Sequence, residues 1–413
     1  MREMKDSGID WIGTIPQDWQ LSKIGSLYTQ RNEKVSDKDY QPLSVTMQGI
    51  LPQLATAAKT DDGDNRKLVR VGDFAINSRS DRRGSCGISP LDGSVSLINI
   101  ILTPRTAMHP GYYNWLFHTT LFADEFYKWG HGIVADLWTT RWQEMKSITV
   151  PVPEYAEQER IAAFLDAECA EIDAVLEKTR ASIEEYKKLK QAVITQAVTK
   201  GIRGDRPMKN SGIEWIGDIP AEWSLVPFSK FARVSANLVN PSDYQDYLQV
   251  SPENIEKDSG KLLPCKTVSE VGVESWNHFF HKGQILYSKI RPKLNKVCIA
   301  PFDGLCSADM YPIDTDNISK FVVYTILSND FNQQVAMITE NRVKMPKINQ
   351  KELSKIIVVL PANRMEQQEI VDYLDGECGK IDSLIAKKQQ YLTEIENYKK
   401  SLIYEYVTGK REA

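Results

Sequence analysis

The 413-residue sequence contains no uninterrupted apolar run of 18 residues, and its opening MREMKDSGIDW has no apolar stretch of leader type. Neither a membrane span nor a secretory leader is therefore expected, and a cytoplasmic location follows. Cysteine is scarce: the six residues at 86, 169, 265, 298, 306 and 378 form no CxxC pair. Reduced thiols are expected, with neither a disulfide framework nor a zinc site. The five histidines (109, 118, 131, 278 and 281) show no metal-ligand spacing, and no metal-binding residue is assigned. A Walker A loop, a GxSxG elbow and an HExxH helix are all missing, which removes the commonest signatures of nucleotide hydrolysis, acyl transfer and zinc proteolysis. Asn240-Pro241-Ser242-Asp243 has neither the stacking aromatic nor the preceding glycine-rich loop of an adenine methyltransferase. Glu185-Tyr186-Lys187 has nuclease-like spacing but falls on a helical stretch whose polar face is solvated.

What is present is a duplication. Residues 4–19, MKDSGIDWIGTIPQDW, return at 208–223 as MKNSGIEWIGDIPAEW, with 11 of 16 positions identical. A second repeat starts at Glu157-Gln158, returns at Glu366-Gln367, and runs ungapped at an offset of 209 to Val198-Thr199 and Val407-Thr408. The period is too long for a solenoid. Two copies of a whole module in one chain imply a pseudo-twofold molecule. The tryptophans of the repeated motif, Trp11, Trp19, Trp215 and Trp223, are expected to pack the junction between module and helix.

The second repeat reads as a long helix. Leu165, Ile172, Thr179, Tyr186 and Val193 lie seven apart, with Val175, Leu176, Ile183 and Leu189 beside them; the later copy offers Leu374, Ile381, Lys388, Ile395 and Leu402, with Leu384, Ile385, Leu392 and Tyr398. Heptads over some 40 residues indicate a coiled coil about 60 Å long. Matching helices of two twofold-related copies run antiparallel, so intramolecular pairing is expected; pairing with another chain is the alternative. The C-terminal helix should finish near the N-terminal motif. The link Thr199–Pro207, with two glycines and a proline, turns the chain between copies.

The stretches between the repeats have diverged. Strands are expected at 96–102 and 355–360, and amphipathic helices at 112–127 and 320–338. At an offset of 211, Val71–Ile76 matches Lys282–Tyr287 and Ile88–Gly93 matches Ile299–Gly304, while the residues between read NSRSDRRGSCG and SKIRPKLNKVC. The frame is shared and the loop is not. The overall reading is α+β. A motif and α/β domain at 1–153 precede a spacer helix at 154–200. A second motif and α/β domain at 201–361 precede a spacer helix at 362–413.

The net charge of −4 conceals a division. Residues 20–150 carry 15 basic and 13 acidic side chains and residues 224–358 carry 16 and 14, so the diverged parts are net +2 each and the rest is net −8. The diverged loops hold the cations: Ser78, Arg79, Arg82 and Arg83 in one, Lys289, Arg291, Lys293 and Lys296 in the other. A further cluster, Arg342, Lys344 and Lys347, has a charge-poor counterpart around 129–141. Paired basic loops suit contact with phosphates and guanine edges. A helical scaffold that never touches DNA, and an enzyme with an unrecognised site, remain the alternatives.

With these pieces in place, the chain resembles the specificity subunits of type I restriction–modification systems. The marks are the twice-used SGI(D/E)WIG-x-IP-x-x-W motif and the Val150–Pro153 and Leu360-Pro361 strands, each leading through Glu-Gln into a long helix. The second copy has Ala362-Asn363 where the family pattern has another proline. The resemblance implies two target recognition domains, each reading half of a bipartite, asymmetric double-stranded DNA target. The helices would set the spacing and dock two methyltransferase subunits and, through them, two restriction subunits. The chain itself would be non-catalytic and cofactor-free in a bacterial or archaeal cytoplasm, with S-adenosylmethionine, ATP and Mg2+ used by the partners.

Overall fold

In the computed structural model, residues 2–53, 63–132, 138–342 and 344–413 are described. The chain divides into two compact units, residues 1–180 with 390–413 and residues 181–389. Each unit takes one end of each long helix, Tyr155–Lys200 and Arg364–Val407. Among the described residues no helix is long and apolar enough to cross a membrane.

The first unit opens with a short hairpin in which Met4 pairs with Pro16. Gly8 and Gly13 adopt positive φ there, a conformation that other residues resist, which explains the SGI…WIG pattern. The strand Gln20–Lys23 then pairs antiparallel with Thr149–Val152, bringing the two ends of the module together where the first long helix begins. Between them lie a four-stranded antiparallel sheet of Tyr28–Arg31, Asn99–Pro104, Phe74–Asn77 and Cys86–Ile88, and a smaller sheet of Lys34–Val35, Arg66–Val69 and Gly93–Val95. The helices Pro110–Phe117 and Thr120–Lys128 supply an aromatic core. Phe74 meets Phe117 at 4.4 Å between ring centroids and Phe117 meets Phe122 at 4.7 Å.

The second unit repeats the hairpin sheet residue by residue, while its other sheet has five strands: Leu238–Val239, Asn277–Phe280, Gly304–Cys306, Leu248–Val250 and Lys266–Thr267. Phe74 opposite Ile88 and Leu102 becomes Ile285 opposite Ile299 and Ile313, and Asn77 opposite Asn99 becomes Ser288 opposite Met310, all at the offset of 211. The motif hairpin pairs Met208 with Pro220, and Ser224–Pro227 pairs with Ile357–Leu360.

Two helical expectations are corrected. The stretches 112–127 and 320–338 are each two helices, the second pair being Ser319–Leu327 and Asn329–Thr339. Thr119 and Ser328 take extended backbone angles, and their hydroxyls accept from the backbone N–H of Phe122 and Phe331. These N-caps end one helix and start the next while the apolar pattern runs straight through.

Within each unit the two long helices run antiparallel. In the first, Phe164 stacks on Tyr406 at 4.3 Å, Asp173 accepts from Lys399 at 2.6 Å, and Arg180 donates to Glu396 at 2.6 Å. In the second, Lys388 lies over Tyr186 and Lys190 donates to Asp382 at 2.7 Å. Leu165, Leu374 and Ile381 are buried, and Ile172, Tyr186 and Ile395 are half-buried. Half of the expected neighbouring stripe lies in the seam: Leu176, Ile183, Ile385 and Leu392 do, and the other four residues do not. Val175, Leu189, Leu384 and Tyr398 face outward, and the seam is completed by Ala162, Cys169, Leu176, Ile183 and Lys190 in one helix and Val371, Cys378, Ile385, Leu392, Lys399 and Tyr406 in the other. That seam alternates spacings of three and four, as heptad packing requires.

Candidate nucleic-acid interface

The repeated segments meet in a pair of matching clamps. In the first unit the indole N–H of Trp19 donates to Glu157 at 2.9 Å, and Arg2 binds Glu157 and Asp18. In the second, Trp223 donates to Glu366 at 3.0 Å, and Arg206 binds Glu366 and Glu222. The adjoining glutamines hook the domains to the helices: Gln158 accepts from the His109 N–H at 2.8 Å and Gln367 from the Ile318 N–H at 3.1 Å. The C-terminal helix returns to the N-terminal motif as expected, with Tyr404 and Lys410 donating to the Ile12 carbonyl at 2.9 and 2.7 Å. Trp11 packs on Phe122, but Trp215 is 38% exposed. The residue equivalent to Phe122, Phe331, is taken by Phe228 and Tyr287, so Trp215 is not the junction residue expected.

The Glu-Gln carboxamides and carboxylates are thus structural, and the candidate reading surface lies on the diverged hairpins. In the first unit the loop joins Phe74–Asn77 to Cys86–Ile88 through a 3-10 turn at Ser80–Arg82. The Tyr127 hydroxyl tethers it to the carbonyls of Asn77 and Arg82 at 3.1 and 3.2 Å. Arg79, Arg82 and Arg83 are exposed; Arg82 lies beside Asp81 and Arg83 pairs with Asp124. Ser78 is buried and its hydroxyl donates to the Ile98 carbonyl, which withdraws it from any outside contact.

In the second unit the loop after Ile285–Ser288 turns through Arg291 and Asn295, both at positive φ. It carries the third cationic segment against itself: Arg291 N–H donates to the Pro346 carbonyl at 2.8 Å, and Ile348 N–H to the Lys289 carbonyl at 2.9 Å. The two basic clusters, 51 residues apart at Arg291 and Arg342, are therefore one surface. Several of its cations are already engaged. Arg342 makes a two-pronged pair with Glu352, Lys347 binds Asp309 at 2.9 Å, and Lys296 donates to the Pro252 carbonyl at 2.7 Å. Lys289 lies half-buried over Tyr311 at 5.2 Å. Arg291, Lys293 and Lys344 remain exposed, without an ion pair among the described residues. The charge-poor counterpart packs the same way, with Thr140 N–H donating to the Ser78 carbonyl at 3.0 Å; Val343 and residues 133–137 lie outside the described residues.

Beside the first hairpin runs a polar groove of about 430 Å³ that sequence reasoning missed. Arg79 and Arg141 flank it, Gln30 and Asn32 contribute amides, and Lys67 and Asn99 lie deeper. Burial holds the Lys67 ammonium below the usual lysine range. Donors and amides at this density suit base edges and phosphate oxygens. The only sequence signal was a lysine in the otherwise buried strand Arg66–Val69.

The model of the type I restriction modification DNA specificity domain matches residues 233–397, which include the second hairpin and its cationic surface. The type I restriction enzyme EcoDI specificity subunit of Escherichia coli is 35% identical over 286 residues. That match covers 65% of this chain and 63% of the relative, so it spans less than two thirds of that protein's length. A solved structure described as the basis of complex assembly and conformational transition of the type I R-M system aligns with a TM-score of 0.73 at 13% identity, covering 96% of this chain and 99% of its own. The HsdS subunit from Thermoanaerobacter tengcongensis aligns with a TM-score of 0.50 at 15% identity, covering 96% and 98%. At such identities the structures speak to the fold alone, and the fold they share is the α+β, long-helix arrangement read from the sequence. The resemblance carried by the doubled motif is therefore borne out: residues 233–397 match the type I restriction modification DNA specificity domain, and the chain is similar over 286 residues to a type I specificity subunit.

Proposed function

We propose that this chain is the non-catalytic DNA-recognition subunit of a type I restriction–modification complex, each diverged domain reading one half of a bipartite target. The observation that carries the reading is the pair of hairpins. They leave strands of the same register and bear unrelated cationic loops, as expected where a fixed frame presents two different reading heads. Arg79, Arg82 and Arg83 in one domain and Lys289, Arg291, Lys293 and Lys344 in the other contact the DNA. Phosphate contacts set register and give salt-dependent affinity, and a few base-edge contacts specify sequence.

The long helices dock two methyltransferase subunits, and two restriction subunits join through them. Val175, Leu189, Tyr373, Leu384, Tyr391 and Tyr398 support this role, because they are large exposed apolar side chains on these helices. S-adenosylmethionine, ATP and Mg2+ act in the partners. The helix pair also fixes the unread spacer of the target. A seven-residue insertion in one helix alone should abolish methylation of the original target, and unchanged methylation would remove the ruler role.

The test is a gel-shift of the chain with its methyltransferase partner, combined with mapping of methylated adenines in a host expressing both. A bipartite methylated motif is expected. A folded complex that binds no DNA would favour the scaffold reading.

A further inference from the structure

One polar position recurs in both units at the same place in the fold and differs in chemistry. In the first unit, Lys67 lies opposite Val95 where Arg66–Val69 pairs with Gly93–Val95. In the second, His278 lies opposite Cys306 where Asn277–Phe280 pairs with Gly304–Cys306. Both keep the 211-residue offset that relates the hairpins. Lys67 and His278 are therefore one position in two domains, each on the strand beside the hairpin sheet.

Both carry unused hydrogen-bonding capacity. Lys67 donates to the Asn99 carbonyl at 2.7 Å, and an ammonium has three N–H groups; the other two have no acceptor among the described residues. Asn99, 4% exposed, turns its Nδ2 onto the Ser96 carbonyl at 3.0 Å. That bond fixes the amide and leaves Oδ1, deep in the groove, without a partner. His278 is 5% exposed and its Nδ1 has no partner. Burial, and then the charge of Lys289 on the second hairpin, hold its ring below the ordinary histidine range, so the ring is neutral at pH 7 and offers one donor and one acceptor. Buried polar groups are normally satisfied; spare N–H groups on half-buried Lys67 beside the orphaned Asn99 Oδ1 in one domain, and an orphaned Nδ1 on His278 at the position matching Lys67 in the other, point to something that arrives from outside.

We infer that Lys67 and His278 determine specificity: each underlies the place where its domain receives a base edge of its half-target, Lys67 favouring an acceptor edge. Guanine, with O6 and N7, presents two acceptors in the major groove. This rests on the DNA-recognition reading above. A phosphate oxygen has the same acceptor chemistry as a guanine edge, and the experiment separates them.

The chain is co-expressed with its methyltransferase partner, and methylated adenines are mapped in host DNA. Absence of any bipartite motif with the unaltered chain would overturn the DNA-recognition reading itself, whatever Lys67 does. Given a motif, Lys67→Met, which keeps the packed stem, should alter or relax the preferred base at one position of one half-target and leave the other half intact. His278→Phe should do the converse. In binding assays Lys67→Met should weaken cognate DNA by about 10-fold, the scale of one good base contact, with nonspecific binding and salt slope unchanged. Uniform weakening across sequences with a salt slope lower by about 1 is the signature of a phosphate contact and would overturn base reading. Thermal unfolding checks that each variant is folded. Should Lys67→Met fail to fold, Lys67→Arg decides, because it keeps the charge and displaces the donors; an unchanged motif with folded Lys67→Arg overturns the inference.

Discussion

The two hairpins leave strands of identical register, yet their cations stand differently. In the first unit the loop arginines project outward, Arg82 beside Asp81 and Arg83 against Asp124 and over the Tyr127 ring. In the second, three of seven cations are tied into the domain, through Glu352, Asp309 and the Pro252 carbonyl. Counting charge in a sequence therefore measures the supply of cations, and only the fold tells which of them face a partner. The same contrast runs through the motif. Trp19 and Trp223 are equally buried and make the same bond to the helix glutamate, whereas Trp11 is buried and Trp215 exposed.

The tryptophans give the largest expected effects. Trp19→Ala and Trp223→Ala should each cost about 4 kcal/mol, the range for deleting a buried aromatic. Trp11→Ala should cost about 3 kcal/mol, and Trp215→Ala less than about 1 kcal/mol. Urea unfolding of the four variants measures this. Equal losses at Trp11 and Trp215 would mean that the two motifs pack alike and would break the comparison.

The seam lysines sharpen it further. Lys190 and Lys399 occupy equivalent seam positions, and their partners Asp382 and Asp173 are equivalent too, at the offset of 209. Their surroundings differ: Lys190 is 11% exposed and Asp382 30%, against 21% and 59% for Lys399 and Asp173. Asp382→Ala strands a more buried cation and should cost about 2 kcal/mol. Asp173→Ala removes a solvent-screened partner and should cost less than about 1 kcal/mol. Thermal unfolding of the two variants would contradict this ranking if Asp173→Ala proved the more damaging.

How much of this was legible is clearest in that seam. Leu165, Ile172, Leu374 and Ile381 stood out because apolar heptads report burial directly. Lys190 and Lys399 did not, since a lysine reads as surface until its aspartate is found on the other helix, 192 and 226 residues away. The apolar pattern offers Val175 and Leu189 to the seam in their place, and both face outward. Thr119 and Ser328 were overlooked for a related reason: the apolar pattern continues across each cap, and a single hydroxyl decides the break. The duplicated frame was readable from constant offsets. The engagement of Arg342 with Glu352, and the groove around Lys67, depend on side chains meeting in space and leave no periodic trace.

The cationic surfaces give a smaller effect, read as a salt slope. Arg79→Ala or Arg291→Ala, each removing an exposed cation, should lower the slope of log affinity against log salt by about 1 for DNA of any sequence. Arg342→Ala, whose guanidinium is held by Glu352, should leave that slope unchanged and instead lower the melting temperature. A reduced slope for Arg342→Ala would restore it to the DNA-facing set and erase the difference drawn between the two loops.

The smallest expected effect is a pH dependence confined to one unit. Asp330 follows the Ser328 cap in the first turn of Asn329–Thr339, and burial pushes its carboxyl up to about 6, partly opposed by the charge of Lys200. A carboxyl whose folded pKa lies above its unfolded value of about 3.9 binds its proton more tightly when folded. Its ionisation therefore weakens the fold above pH 6, and the unit should gain stability as pH falls from 7 towards 5. The equivalent residue of the first unit, at the offset of 209, is Leu121, which cannot titrate. Asp330→Asn should flatten that part of the stability–pH profile, and Leu121→Asn should leave it as it was. A profile that keeps its slope in Asp330→Asn would assign the dependence to another group and remove Asp330 from the differences between the two units.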